Sequence, residues 1–225
     1  SGLSASQPFS HRRPIHTAAF SHDGSQVLTA SDDGIAVIWQ QPDRQRYFSH
    51  NQRVTSLQFS PDSTRLVSTS FDGTAMLFDL ATGQPTRPLL HESRVHSASF
   101  SADGKWLVTA SDKGASVWDL ESDRVPEQIE SGTNIWQACF SASADELYLN
   151  AGVLGKRFAA GYSRQNGGRF EPNTTPIRGL GTTLDEPIRT CQGTTSVKIV
   201  TLSSDLHTAY VWDIATAKRM GDPVE

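Results

Sequence analysis

The chain has 225 residues and a formal net charge of -4. That is enough sequence to bury the core of one all-β domain, and the acidic balance offers no global field for nucleic acid; Arg12-Arg13 and the scattered arginines read as solvated surface. No apolar run approaches the ~18 residues of a membrane span, and no charged-then-apolar leader opens the sequence. Cys139 and Cys191 lack Cys-x-x-Cys spacing and fall where strands are expected, so they read as buried thiols, with a single disulfide as the alternative. The expectation is a soluble protein of a reducing, cytoplasmic compartment.

Residues 1–10 are a polar, unpatterned tail. At His11 a phrase begins that runs to Phe20 and closes on Ser21-His22-Asp23-Gly24; it returns from His50 to Phe59 and from His91 to Phe100. Phe20, Phe59, Phe100 and Phe140 lie 39, 41 and 40 residues apart, a period that marks a repeat architecture. Each phrase reads as a strand ending in turn chemistry. Second strands follow at Gln26–Ala30, Arg65–Thr69 and Trp106–Ala110, apolar without alternation, as strands buried on both faces are.

An Asp-Gly turn then opens the third strand. Asp32–Trp39 sets the pattern, echoed by Phe71–Asp79, Asp112–Asp119 and Asp205–Asp213. More polar outer segments complete each unit at Arg44–Ser49, Pro85–Leu90 and Arg124–Ile129, as suits a sheet edge that meets water. The fourth unit keeps Asn134–Phe140 and Glu146–Asn150 but has no Trp-Asp ending, only Phe158-Ala159. Residues 161–186 read as an extended loop with one outer strand near Pro176–Arg178. The fifth recovers at Pro187–Cys191, Val197–Thr201 and Tyr210–Asp213.

The leading His, the Phe-Ser-x-Asp-Gly turn, the Asp-Gly turn and the Trp-Asp ending recur together, and in this the chain resembles the WD-repeat family over roughly residues 11–222. The linker Asp79–Pro85 resembles WD repeats of bacterial signalling proteins in particular. The resemblance implies an all-β propeller of four-stranded antiparallel blades, here at 11–49, 50–90, 91–130, 131–186 and 187–225. Five blades fall short of the seven usual in the family. The expectation is therefore a larger ring whose other blades lie outside these residues; the alternatives are a closed five-bladed ring, or one completed by a partner chain.

The resemblance also implies an internal hydrogen-bond network: His11, Thr29, Asp33 and Trp39 in the first unit; His50, Ser68 and Asp72 in the second, where Phe78 lacks an indole N–H. The third offers His91, Thr109, Asp112 and Trp118, with Asp112 rather than Lys113 in the acidic place because it lies six residues before Trp118. The fifth offers Thr201, Asp205 and Trp212. Buried imidazoles and carboxylates need partners, and recurrence at one phase is what structural pairing predicts, whereas a catalytic triad is needed once. His11, His50 and His91 are thus structural rather than nucleophile-activating, and His207, Asp213 and the scattered carboxylate pairs carry no catalytic reading. No Gly-rich phosphate loop and no metal-ligand spacing is present, so no cofactor and no metal are expected.

Propellers of this family bind proteins or peptides on the face around the central channel. Positions expected there are Pro14, His16 and Asp32; Arg53, Thr55 and Phe71; Arg94, His96 and Ser111; Asn134 and Trp136; Arg189 and Ser204. Arg, Trp and Phe are the types that anchor interfaces, which singles out Arg53, Phe71, Arg94 and Trp136, with His16, Asp32 and His96 beside them. The bland reading is that Trp136 packs between blades and Phe71 is a lone surface aromatic. The expected function is a non-enzymatic scaffold for a protein or peptide partner, within a bacterial signalling or defence protein and without nucleic acid or membrane. The rivals are a glycan-binding or glycoside-processing propeller using Asp32, Asp185 and Glu186, and a fragment whose only role is to complete a larger ring.

Overall fold

The computed structural model describes residues 10–21, 25–40, 44–129, 132–141, 143–153, 156–164, 168–172, 190–193, 197–202, 209–213 and 218–224; at 40, 44, 153, 156–159 and from 190 onward it describes the backbone only. Among these residues the chain forms five four-stranded antiparallel sheets, each built from strands consecutive in sequence. The first joins β1 (Ile15–Phe20), β2 (Gln26–Ser31), β3 (Ile35–Gln40) and β4 (Arg44–Ser49). The second joins β5 (Val54–Phe59), β6 (Arg65–Ser70), β7 (Thr74–Asp79) and β8 (Pro85–Leu90). The third joins β9 (Val95–Phe100), β10 (Trp106–Ser111), β11 (Gly114–Asp119) and β12 (Glu127–Ile129). The fourth joins β13 (Asn134–Phe140), β14 (Glu146–Val153), β15 (Lys156–Ser163) and β16 (Glu171–Pro172); the fifth joins β17 (Thr190–Gly193), β18 (Val197–Leu202), β19 (Ala209–Asp213) and β20 (Lys218–Val224).

Burial explains the composition of each layer. β6 and β10 are buried almost throughout because a neighbouring sheet covers each face, and both read as continuous apolar or small residues. The outer strand β8 carries Pro85 and Pro88, tolerated there because an edge strand has N–H groups to spare.

Consecutive sheets stack face to face as blades. Leu28, Ala30, Ile38 and Phe48 of the first pack on Val54, Leu57, Leu66 and Phe78 of the second. Val67, Ala75, Leu77 and Leu89 of the second pack on Ala98, Phe100, Leu107 and Trp118 of the third, and Val108, Val117 and Ile129 of the third meet Ile135, Phe140, Leu147 and Leu149 of the fourth. Polar latches run alongside: Thr55 Oγ1 donates to Val95 O at 2.8 Å, Phe100 N–H to Gln58 Oε1 at 3.0 Å, and Phe170 N–H to Glu127 Oε1 at 2.6 Å. The first blade's opening face has no such cover among the described residues: Phe20 is 72 % exposed, whereas Phe100 and Phe140, at the same place in later repeats, are 6 % and 2 % exposed.

Four expectations need correction. The outer strand of the fourth blade lies at Glu171–Pro172, while 176–178 falls outside the described residues; β15 continues to Ser163, so the loop begins later than residue 161. β12 starts at Glu127 rather than Arg124, after Pro126, which has no N–H to pair with β11. Cys139 is buried but disulfide-bonded rather than a thiol, which removes the argument from free thiols to a reducing compartment. The fourth correction concerns Asp112 and Ser111 and belongs to the rim.

Candidate functional site

Each of the first three blades sends residues to one rim from three places. The first is the residue before the inner strand: Pro14, Arg53 and Arg94. Their carbonyls accept the backbone N–H of Asp32, Phe71 and Asp112, which head the turns between second and third strands, at 3.1, 3.1 and 3.2 Å. The third source is a β-bulge. Pairing slips by one residue between Ile15 and Thr17, Val54 and Ser56, Val95 and Ser97, and Ile135 and Gln137. The residue left out of register is His16, Thr55, His96 or Trp136. A bulge bends its strand and re-aims one side chain, so four repeats deliver one residue each by the same device.

These side chains form an unbroken series of contacts across four blades. His16 Nε2 lies 2.6 Å from Asp32 Oδ1, and Arg53 Nε lies 3.2 Å from the same oxygen, an ion pair outside hydrogen-bond geometry. The guanidinium carbons of Arg53 and Arg94 sit 5.5 and 5.2 Å from the Phe71 ring centroid. Phe71 meets the edge of His96 at 5.7 Å between centroids, and His96 stacks at a tilt on Trp136 at 4.6 Å. His96 Nε2 also lies 2.6 Å from Asp112 Oδ1. Phe71 is therefore not a lone surface aromatic, and Trp136 stays 38 % exposed rather than buried between blades. Thr55 differs from its counterparts: its hydroxyl meets Thr69 Oγ1 at 2.8 Å and latches onto the next blade. Asn134 opens β13; Arg189 and Ser204 lie outside the described residues.

Behind the rim lie the internal networks. His11 Nε2 is 2.8 Å from Thr29 Oγ1, which also accepts Trp39 Nε1–H at 2.8 Å, and His11 Nδ1 is 3.2 Å from Asp33 Oδ2. Burial raises the Asp33 pKa, but the N–H groups of Ile35 and Arg12 and the His11 ring outweigh it, and the carboxyl is held below its usual range. In the second blade His50 Nε2 meets Ser68 Oγ at 2.7 Å, and its Nδ1 faces Asp72 Oδ2 at 3.3 Å and Thr74 Oγ1 at 3.0 Å. Phe78 supplies no donor and packs on Phe48 instead, at 4.3 Å. In the third, His91 Nε2 meets Thr109 Oγ1 at 2.7 Å and Trp118 Nε1–H donates to the same oxygen at 2.8 Å. Burial pushes the His50 and His91 pKa values down, so both rings are held neutral. Of the fifth unit, Asp205 and His207 lie outside the described residues and only the backbone of Thr201, Trp212 and Asp213 is described.

Asp112 is not in the third network. His91 Nδ1–H donates to Leu89 O at 3.1 Å, and Asp112 is spent on His96. Ser111 pairs with Gly114 across a two-residue turn, whereas Ser31 and Ile35 flank three residues. The missing residue shifts the count back from Trp118 by one: Lys113, whose N–H bonds Ser111 Oγ as that of Asp33 bonds Ser31 Oγ, holds the acidic place. Asp112 rather than Ser111 is thus the rim residue of this blade; Ser111 is buried and donates to Gly114 O at 2.9 Å. The shorter distance between the Ser-Asp turn and the Trp-Asp ending was the signal for it.

His11, His50 and His91 recur at one phase and are each held by structural partners, which accounts for these three without a catalytic role. Among the described residues no group of three or more His, Cys, Asp or Glu is placed to hold a metal ion. Asp32, the described member of the carboxylate set suggested for glycans, is engaged by His16 and Arg53; Asp185 and Glu186 lie outside the described residues.

Comparison with known proteins finds the family described as "WD domain, G-beta repeat" at residues 5–40, 43–79 and 83–119. Over 120 residues, 53 % of this chain, the sequence is 30 % identical to small ribosomal subunit protein RACK1z of Arabidopsis thaliana and, to the same extent, to small ribosomal subunit protein RACK1 of Brassica napus. The match spans a quarter of the length of each of these relatives.

Proposed function

We propose that this chain, which carries three repeats of the WD domain, G-beta kind, is a protein-docking scaffold without chemistry of its own, binding a protein or peptide partner on the rim from His16 to Trp136. The observation that carries this reading is the unbroken contact series His16–Asp32–Arg53–Phe71–His96–Trp136, drawn from four blades. A structural core has no need of arginine and tryptophan held at a solvent boundary, whereas interface anchors are of these types. Two relatives bear the name of a small ribosomal subunit protein, which supports docking onto an assembly over catalysis. The linker at Asp79–Pro85 supports a bacterial signalling or defence setting. Among the described residues no helix is long and apolar enough to cross a membrane.

The test is a pull-down with the wild type and an Arg53/Phe71/Arg94 triple alanine variant of unchanged melting temperature. Recovery of a partner by the wild type and its loss with the variant is the expected outcome. Equal recovery by both refutes the rim as the docking face.

A further inference from the structure

Not every cation of the rim has a carboxylate beside it. Asp32 is engaged by His16 and Arg53, Asp112 by His96, and Glu92 by Lys113 at 2.7 Å. Arg94 is exposed, and no carboxylate lies within ion-pair distance of it among the described residues. Arg53 faces Asp32 through its Nε at 3.2 Å. The rim cation without a carboxylate is therefore Arg94, and it shares the single ring of Phe71 with Arg53. An aromatic face orients a guanidinium without consuming its N–H donors, so both forks are set for a planar anion before it arrives. Next to them, His96 and the 38 % exposed Trp136 form an apolar shelf.

We propose, resting on the docking reading above, that the partner is recognised through an acidic linear segment. One or more of its Asp or Glu carboxylates accepts the forked N–H donors of Arg94 and Arg53, and a neighbouring large apolar side chain covers Trp136. Charge complementarity carries the choice: a basic segment would meet the uncompensated Arg94 with Arg53 beside it, and a neutral one would leave Arg94 desolvated without an acceptor. The bulge at His96 and Trp136 sets the apolar contact beside the charged one, so the order of acidic and apolar residues in the segment is part of what is read.

The experiment is an array of random-sequence peptides of about ten residues, with a phosphoserine-bearing set alongside, probed with the whole chain. Binders of the wild type are expected to be enriched in Asp and Glu next to Leu, Phe or Trp. Arg94→Gln should weaken those binders on the order of tenfold, the size of one charge-assisted contact, while Arg94→Lys recovers part of the loss. Enrichment in neutral or basic peptides, binding confined to the phosphoserine set, or a signal unchanged by Arg94→Gln overturns the acidic assignment. If the triple alanine variant still loses its peptides in those cases, the docking face stands and only the partner's chemistry is wrong. An array whose binders are insensitive to the triple variant, or an array with none, overturns both.

Discussion

Replacing Thr109 by Val tests the internal network most directly, because the two side chains match in shape and differ by a hydroxyl. That hydroxyl is fully buried, accepts Trp118 Nε1–H at 2.8 Å and lies 2.7 Å from His91 Nε2. His91 donates from Nδ1 to Leu89 O and is held neutral by burial, so its Nε2 is an acceptor and takes the Thr109 hydroxyl proton. Without Oγ1, both the indole donor and the imidazole acceptor lose their partner. A buried polar group stranded in this way costs about 1–3 kcal/mol, so the variant, which strands two, should lose roughly 2–6 kcal/mol. Ser68→Ala in the second blade is the matched control. Ser68 is equally buried and touches His50 Nε2 at 2.7 Å, but Phe78 has no N–H, so one group is stranded and the expected loss is roughly 1–3 kcal/mol, about half that of Thr109→Val. Thermal denaturation followed by tryptophan fluorescence and by far-ultraviolet dichroism separates the two cases, at about 2–4 °C of melting temperature per kcal/mol for a chain of this size. Equal losses in the two variants would refute the idea that the tryptophan is an energetic member of the network.

Three other outcomes follow from burial, backbone geometry and charge. Phe140→Ala, at 2 % exposure, should cost about 3–5 kcal/mol by leaving a cavity, whereas Phe20→Ala at the same place in the first repeat, 72 % exposed, should change the denaturation midpoint little. Gly34→Ala should be far more damaging than Gly132→Ala. Both have positive φ, +79° and +65°, worth about 1–2 kcal/mol, but a Cβ at Gly34 would lie 2.9 Å from His50 O and one at Gly132 would meet nothing. Stability should fall in two stages on acidification, as read from melting temperature against pH. Below about 6.5 the unfolded chain takes up protons that His50 and His91 refuse until their depressed native pKa values are reached. Below about 4 the unfolded carboxyls protonate before Asp33, Asp72 and Asp62; the last is held at about 2 by the Ser60 hydroxyl and Thr64 N–H. Stability that rose as pH fell from 7 to 5 would contradict the neutral assignment of the buried rings.

The blades were legible because spacing and turn chemistry are properties of the chain itself. Phe20, Phe59, Phe100 and Phe140 hold one phase, and Asp-Gly pairs mark where strands reverse. The placement of Arg53, Phe71 and Arg94 near one another was legible for the same reason, since equivalent positions in stacked repeats are neighbours. The bulges were not. A residue looped out of register at His16 or Trp136 reads in sequence like any other strand residue, because the slip arises from pairing with a strand further along. Asp112 was misplaced because counting back from a tryptophan assumes a turn of constant length. The latch role of Thr55 depends on the distance to the next blade, which periodicity does not report.

The shortened hairpin between β10 and β11 has a consequence for how such a surface changes over time. Lys113 stands there where the first blade has Asp33, so the third blade has no acid behind His91, yet Thr109 and Trp118 keep their bonds. The residue ahead of it is Asp112, which faces His96 as Asp32 faces His16 in the first blade, whereas the second blade has Phe71 there. The head of each turn thus varies what the rim presents without repacking anything underneath. A lineage that exchanges these turn residues one codon at a time can explore new specificities while its stacked sheets remain as they were.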